Sequence, residues 1–226
     1  MRFIRTLLLA FPVLLLASCK NESTTGEQTT APSTVSDHHA GNAEQHDHED
    51  SHDHPHAPEQ HVPAEPVSIG DKVPNFAVTI NDKKWTLNQL RNNKELSNDG
   101  TIVLTFWCSF CHSCRDIDQD LNQLAQHYKG KAAVIALDAS DGETTEQVAE
   151  FAKEKGLTLP IALNASGSAA DIFGTKVTTT TVVIDKEGVL RYRGQFGNAG
   201  HPFTRDALEA VLQNQTVKVT ETKHRG

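Results

Sequence analysis

The chain has 226 residues, a formal net charge of −8, four cysteines and one methionine. Its hydrophobic fraction of 37% lies below the roughly 45–50% of globular domains, so part of the chain is expected outside a core. The acidic balance argues against a nucleic-acid partner, because no excess of Lys and Arg is available to neutralise phosphates. This charge is concentrated in residues 20–66, which carry −9, whereas residues 67–226 carry −1.

The N-terminus has the pattern of a secretory signal. Arg2 and Arg5 precede an apolar run over residues 7–16, which is too short to cross about 30 Å of hydrocarbon and is typical of a signal peptide. The run ends Leu-Ala-Ser-Cys at residues 16–19, which resembles the lipobox of bacterial lipoproteins. That resemblance implies cleavage after residue 18 and lipidation of Cys19. The alternative is an ordinary signal peptide with an incidental cysteine.

Lipidation would anchor the protein to a membrane of the bacterial cell envelope, because several buried acyl chains suffice for stable anchoring. Lys20 follows the cysteine and resembles the sorting pattern for the outer membrane, so in a cell with two membranes we expect the protein there, facing the periplasm.

Residues 19–66 are predicted to form a lipidated, disordered tether rich in His, Asp and Glu. From residue 20 to residue 66 the only large aliphatic side chains are Val35 and Val62, too few to offset the entropy of ordering. Imidazole and carboxylate groups favour weak, multivalent binding of Cu or Zn, and the alternative is a solvated acidic spacer. The eight candidate ligands are His38, His39, His46, His48, His52, His54, His56 and His61.

Residues 67–226 are enough for one domain, and strand and helix patterns alternate along them. Residues 101–107 form a continuous β-type run of a buried strand, and residues 132–137 form a second. Between them, Ile117, Leu121, Leu124 and Tyr128 recur at helical spacing.

The C-terminal half of this domain continues the alternation. Ser140 with Glu143, or Thr144 with Gln147, is expected to cap a helix that ends at Gly156. Residues 181–184 and 189–192 flank a hairpin turn, and a last amphipathic helix begins near residue 204. The order predicts an α/β fold with a mixed central sheet and helices on both faces.

Two cysteines separated by two residues occur where the first buried strand turns into a helix. Cys111 is expected at the helix N-terminus, where the macrodipole and free backbone N–H groups stabilise a thiolate. Cys114 follows one turn later, close enough to attack a mixed disulfide. His112 adds a positive charge beside Cys111 when it is protonated. The alternative is half of a zinc site.

These residues resemble the thioredoxin-like redoxins, the TlpA- and ResA-related envelope proteins and the AhpC/TSA group. Phe106, Trp107 and the two cysteines match the active-site strand and motif of that family. Residues 70–76 match its opening strand, residues 87–90 its following loop, and residues 183–188 its hairpin.

The resemblance implies a thioredoxin fold over residues 67–226 and a thiol–disulfide oxidoreductase that needs no cofactor. Its partners would be protein or small-molecule thiols and disulfides, and the expected oligomeric state is a monomer. Cys111 would be the attacking thiolate and Cys114 the resolving thiol, with Trp107 and His112 modulating them.

Three positions depart from the family pattern. Thr179 stands where relatives have a cis-proline facing the cysteines, so we expect a trans peptide, a reshaped groove and easier metal access to the thiols. Thr105 stands where thioredoxin itself has a buried acid. Cys108 replaces a usual alanine, and is either a small buried thiol or a third redox or metal-binding thiolate.

Two other functions remain open at this stage. One is a metal-binding or metal-delivery lipoprotein, in which the tether gathers Cu or Zn and the thiols accept it. The other is a peroxiredoxin-type peroxidase, whose Pro-x-x-x-Thr-x-x-Cys pattern is met only in part: Thr105 and Cys108 have the spacing, but lie too far into the strand.

Overall fold

The computed structural model describes residues 65–223, which form seven strands and six helices. The signal peptide, Cys19, the histidines of the tether and the last three residues lie outside the described residues. Within residues 65–223, no helix has the length and apolarity needed to cross a membrane. In chain order the elements are β1 (Ala77–Ile80), β2 (Lys83–Thr86), α1 (Leu87–Arg91), β3 (Ile102–Phe106), α2 (His112–Arg115), α3 (Asp118–His127), β4 (Ala133–Asp138), α4 (Thr145–Lys155), β5 (Ile161–Leu163), α5 (Ser168–Phe173), β6 (Thr180–Ile184), β7 (Leu190–Gln195) and α6 (Phe203–Leu212).

The strands form one mixed sheet in the order β2-β1-β5-β4-β3-β6-β7. Strands β3, β4 and β5 run parallel, while β6 pairs antiparallel with β3 and β7, and β1 pairs antiparallel with β2 and β5. All five residues of β3 are buried, as expected for a central strand covered on both faces. The motif that follows β3 therefore leaves the sheet near its centre.

Helices cover both faces of the sheet. Alternate side chains of β3 enter opposite cores: Ile102 and Leu104 share one core with residues of α1 and α5, and Val103 shares the other with residues of α3, α4 and α6. Full burial of a side chain such as Leu104 contributes about 1.5–3 kcal/mol. The predicted α/β class, with a mixed sheet between two helical layers, is confirmed.

The start of α4 decides between the two capping alternatives. Thr144 is the N-cap, with its hydroxyl accepting from the Gln147 backbone and the Gln147 side chain accepting from the Thr144 backbone. The helix ends at Gly156, whose φ of 68° is the left-handed conformation that glycine adopts without strain. Glu143 is thus not part of the cap and is free to bind elsewhere.

Two local expectations are wrong. Residues 87–90 lie in helix α1, which Thr86 and Gln89 cap, and not in a loop. The opening strand begins at residue 77 rather than within residues 70–76, where the chain makes an isolated bridge from Lys72 to Val189. The helical residues expected after Cys111 are present, but they are divided into two helices, α2 and α3.

The break between α2 and α3 lies at Asp116 and Ile117. The Ile117 N–H donates to the Cys114 carbonyl at 3.1 Å, three residues back instead of four, and Ile117 has φ −110° and ψ −6°. The backbone is therefore no longer α-helical at this point, and Cys111 caps a helix of only four residues.

Candidate active site at the end of the central strand

Three cysteines lie within seven residues after β3, and all three are free thiols. Cys108 and Cys114 are buried, with exposed fractions of 4% and 0%, whereas Cys111 is half-buried. Cys111 is the N-cap of α2, with an extended φ of −80° and ψ of 121°. The fold thus leaves one of the three sulfurs accessible and shelters its two neighbours.

The surroundings of the thiols move their pKa values in opposite directions. Desolvation raises the pKa of Cys111, but hydrogen bonds from Thr178, from Cys114 and from backbone N–H groups at the start of α2 outweigh it, and the net pKa is lowered. Burial raises the pKa of Cys114 to about 12 and that of Cys108 to about 11. Cys111 is therefore the thiol that ionises most readily, and a thiolate is the reactive form of cysteine.

A threonine from the loop before β6 contacts the accessible sulfur. Thr178 Oγ1 lies 3.0 Å from Cys111 Sγ, so its hydroxyl can donate to the thiolate. The sequence singled out Thr179, but the side chain that reaches Cys111 is that of the preceding residue. Only the adjacency of the two threonines in the sequence pointed to Thr178.

Thr179 has a backbone role instead. Its N–H donates to the Phe106 carbonyl at 2.6 Å, and its own carbonyl accepts from the Phe196 N–H at 3.2 Å. Its φ of +66° lies in the left-handed region, far from the −65° of proline. The loop is therefore held by an N–H donor that a proline at this position would lack.

The position of the buried acid of thioredoxin is filled by a pair of hydroxyls. Thr105 Oγ1 and Thr181 Oγ1 lie 2.9 Å apart across β3 and β6, in the core. One hydroxyl donates and the other accepts, so each has the hydrogen-bond partner that a buried polar group requires.

Trp107 is held by a network on α2 and α3. Its Nε1 donates to Asp118 at 2.8 Å, and Asp118 forms an ion pair of 2.9 Å with Arg115. The Arg115 guanidinium donates to the carbonyls of Cys108 and Ser109 and stacks 4.2 Å from the Phe151 ring centroid. Arg115 and Asp118 were not identified from the sequence, although they clamp the loop that carries the cysteines.

A pair of carboxyl groups lies on the other side of this loop. Glu143 accepts from the Ser109 backbone N–H at 2.9 Å and from its hydroxyl. Asp138, at the end of β4, accepts from the Ser140 N–H and hydroxyl at 2.8 and 2.6 Å. Desolvation, then its hydrogen bond with Glu143, raises the pKa of Asp138 to about 6, and both carboxylates raise the pKa of Cys108.

His112 and the predicted metal sites are the remaining candidate features. His112 is exposed at the first position of α2, next to Cys111 in the chain, and its modulating role stays a prediction. Among residues 65–223, no group of three or more His, Cys, Asp or Glu side chains is arranged to hold a metal ion. The Cu or Zn sites predicted for the tether lie outside these residues.

Comparisons with known proteins agree with this architecture. Residues 69–193 match the model of the AhpC/TSA family. The thiol-disulfide oxidoreductase ResA of Bacillus thuringiensis is 34% identical over 156 residues, which are 67% of this chain and 81% of ResA. The thioredoxin-like protein YneN of Bacillus subtilis is 30% identical over 127 residues, 55% of this chain and 70% of YneN.

Solved structures share the fold. A hypothetical protein of Sinorhizobium meliloti aligns with a TM-score of 0.59 at 25% identity, over 70% of this chain and 93% of that protein. An uncharacterized conserved protein of Geobacillus kaustophilus aligns with a TM-score of 0.59 at 21% identity, over 69% and 88%. With the mixed sheet and the motif after β3, these matches establish that the chain belongs to the AhpC/TSA family and is a thioredoxin-like thiol–disulfide oxidoreductase.

Proposed function

We propose that the chain exchanges disulfides through Cys111 and Cys114 on protein or small-molecule substrates, at the cell envelope. The observation that carries the proposal is the contrast between two thiols in one turn. The accessible Cys111 has a lowered pKa, whereas burial raises that of Cys114 to about 12. One sulfur is suited to attack a substrate, and the other is protected from it.

The exchange takes two steps. The Cys111 thiolate attacks one sulfur of a substrate disulfide, forming a mixed disulfide and releasing the other substrate sulfur as a thiolate, which takes up a proton. Cys114 then gives up its proton and attacks Cys111 Sγ, so that the second substrate sulfur leaves and carries that proton away. The substrate gains two electrons and the protein is oxidised to a disulfide. The same steps in reverse oxidise a substrate dithiol.

The surface beside Cys111 supports a protein substrate. Phe110, which precedes Cys111, is 71% exposed, an unusual setting for a large aromatic side chain. It borders an open groove of about 500 Å³ that also contains Phe151 and Glu143. An apolar ring next to the reactive sulfur gives a polypeptide a contact that a small disulfide does not need.

Replacing the attacking sulfur tests the proposal. In the reduced full-length chain, Cys111→Ser is expected to abolish reduction of a protein disulfide such as those of insulin, because serine is not ionised at neutral pH. The matched control is Gln123→Ala on the exposed face of α3, which is expected to keep the parent rate. Undiminished exchange by the Cys111→Ser variant contradicts the proposed role.

We further propose that residues 1–18 are a lipoprotein signal peptide, that Cys19 is lipidated, and that residues 19–66 tether the domain of residues 67–226 to the envelope membrane. The support is the sequence around Cys19 and the polar composition after it. Expressed in a diderm bacterium, the full chain is expected in the outer-membrane fraction, and Cys19→Ala is expected to remove it from that fraction. Equal membrane association of both proteins contradicts lipid anchoring.

Metal delivery is supported only by the sequence of the tether, since residues 65–223 contribute no metal cluster. Deletion of residues 38–61 separates the two functions. A thiol–disulfide oxidoreductase keeps its turnover after this deletion, and a metal carrier loses most of its capacity for Cu or Zn.

Peroxidase activity has less support from the site. Of the two residues with the matching spacing, the Thr105 hydroxyl is bound to Thr181, and burial raises the pKa of Cys108 to about 11. A peroxidatic cysteine must be an accessible thiolate. Cys108 does not meet this requirement, so peroxide consumption through Cys108 is expected to be negligible beside disulfide exchange.

A further inference from the structure

Cys108 stands in the same backbone relation to Cys111 as Cys114 does. The Cys111 N–H donates to the Cys108 carbonyl at 3.4 Å, and the Cys114 N–H donates to the Cys111 carbonyl at 3.2 Å. Each bond closes a turn of four residues, and the two consecutive turns share Cys111. Such turns hold their end Cα atoms less than about 7 Å apart, which matches the 4.4–6.8 Å found across disulfides.

The three sulfurs also influence one another directly. The Cys111 thiol interacts electrostatically with both Cys108 and Cys114, and the latter two interact with each other. The Cys108 sulfur accepts from the Cys111 backbone N–H, and the Cys114 sulfur accepts from the backbone N–H of Cys108. The accessible sulfur therefore has a sheltered thiol on the strand side and another on the helix side.

We infer that Cys108 is a second resolving thiol, which attacks the mixed disulfide on Cys111 from the strand side as Cys114 does from the helix side. The inference rests on the proposed role of Cys111. A new bond forms between the Cys108 and Cys111 sulfurs, and the bond from Cys111 to the substrate breaks. The electron pair leaves with the substrate sulfur, which takes up the proton given up by Cys108, so no further oxidant or reductant is needed.

Burial gives neither Cys108 nor Cys114 an advantage in the resolving step. Both are sheltered from external disulfides, and both need contact only Cys111, where an intramolecular attack has a high effective concentration. The pKa of Cys108, about 11, is no higher than that of Cys114, about 12. A raised pKa therefore excludes Cys108 from the resolving step no more than it excludes Cys114.

Two oxidised forms follow from this arrangement. Cys108 can also attack Cys111 within the Cys111–Cys114 disulfide, releasing Cys114, which takes the proton from Cys108. This internal exchange conserves thiols and electrons, and it would move the disulfide from the helix side to the strand side without a substrate.

The test uses the full chain in a Cys19→Ser background, with Cys114→Ser, Cys108→Ser and the double variant. Each protein is reduced and treated with 5,5′-dithiobis(2-nitrobenzoate), and its released thionitrobenzoate and intact mass are measured. Both single variants are expected to release two equivalents and to lose two hydrogens without an adduct. The double variant is expected to release one equivalent and to keep an adduct on Cys111. A stable adduct on the Cys114→Ser variant overturns the inference.

Because Cys114 is fully buried, Cys114→Ala serves as a second variant that suits an apolar site, and its folding is checked by circular dichroism.

The parent protein gives an independent measurement. After oxidation, its remaining free thiols are alkylated, and the alkylated cysteines are located by fragmentation in the mass spectrometer. Alkylation of both Cys108 and Cys114, in different molecules, is expected. Alkylation of Cys108 alone overturns the inference. Failure of the proposed function itself would be recognised differently: the Cys111→Ser variant would react with 5,5′-dithiobis(2-nitrobenzoate) as fast as the parent protein.

Discussion

Removing the Thr178 hydroxyl should raise the pKa of Cys111 and slow its reactions. Thr178→Val keeps the shape of the side chain but loses the 3.0 Å contact with Cys111 Sγ. A hydrogen bond to a charged group contributes about 1.5–3 kcal/mol, and 1.36 kcal/mol corresponds to one pKa unit. Thr178 is half-buried, so water replaces part of the lost interaction, and the expected rise is about one unit.

The measurement is the pH dependence of iodoacetamide alkylation of the reduced full chain, read by mass spectrometry at Cys111. Below the pKa, the Thr178→Val rate should be about tenfold lower than the parent rate, and the rate at high pH should be unchanged. Thr178→Ser keeps the hydroxyl and should restore most of the reactivity. The exposed Thr216→Val controls for the substitution itself. An unchanged pKa in Thr178→Val would refute the assignment of this hydroxyl as a thiolate donor.

Two further predictions concern buried polar groups. Asp138→Asn removes a carboxyl group whose pKa is about 6 in the folded protein. Because this value lies above the pKa in the unfolded chain, ionisation of Asp138 lowers the free energy of unfolding of the parent protein as the pH rises from about 4 to 6, by up to about 3 kcal/mol. Urea unfolding should therefore show a gain for the variant that is larger at pH 8 than at pH 4, and equal gains would contradict the raised pKa. Thr105→Val leaves the Thr181 hydroxyl unpaired in the core and should cost about 1–3 kcal/mol. The double variant with Thr181→Val should recover most of that cost, and a loss equal to the sum of the single variants would count against the pairing.

The central elements could be predicted because their signals are local and strong. Residues 102–106 are buried on both faces, so every position is apolar or a small hydroxyl, and the strand is visible as a continuous run. Both ends of helix α4 are marked by capping residues within or next to the helix, Thr144 and Gln147 at its start and Gly156 at its end. Such local signals do not depend on contacts with distant residues, so they can be recognised in the sequence alone.

The parts that were missed depend on distant contacts. Strand β5 has only three residues, too short for a periodic pattern, and exists because it pairs with β4 and β1. The sequence offered Glu143 as a helix cap, whereas the fold brings it to Ser109, 34 residues away. Thr178 reaches Cys111 across 67 residues. Side chains from separate elements meet at the site only through the order of the strands, which the sequence does not state.

The short helix after Cys111 has a consequence for how the reactive sulfur responds to its medium. A long helix would act on the thiolate through a macrodipole, an interaction that dissolved ions screen over about 8–10 Å. Here α2 has four residues and α3 begins only after Asp116 and Ile117, so direct donors within contact distance carry the stabilisation. No layer of ions fits between such partners. The stabilisation of the Cys111 thiolate is therefore expected to depend mainly on the loop geometry, and its pKa to vary less with ionic strength than that of a thiolate at the end of a long helix.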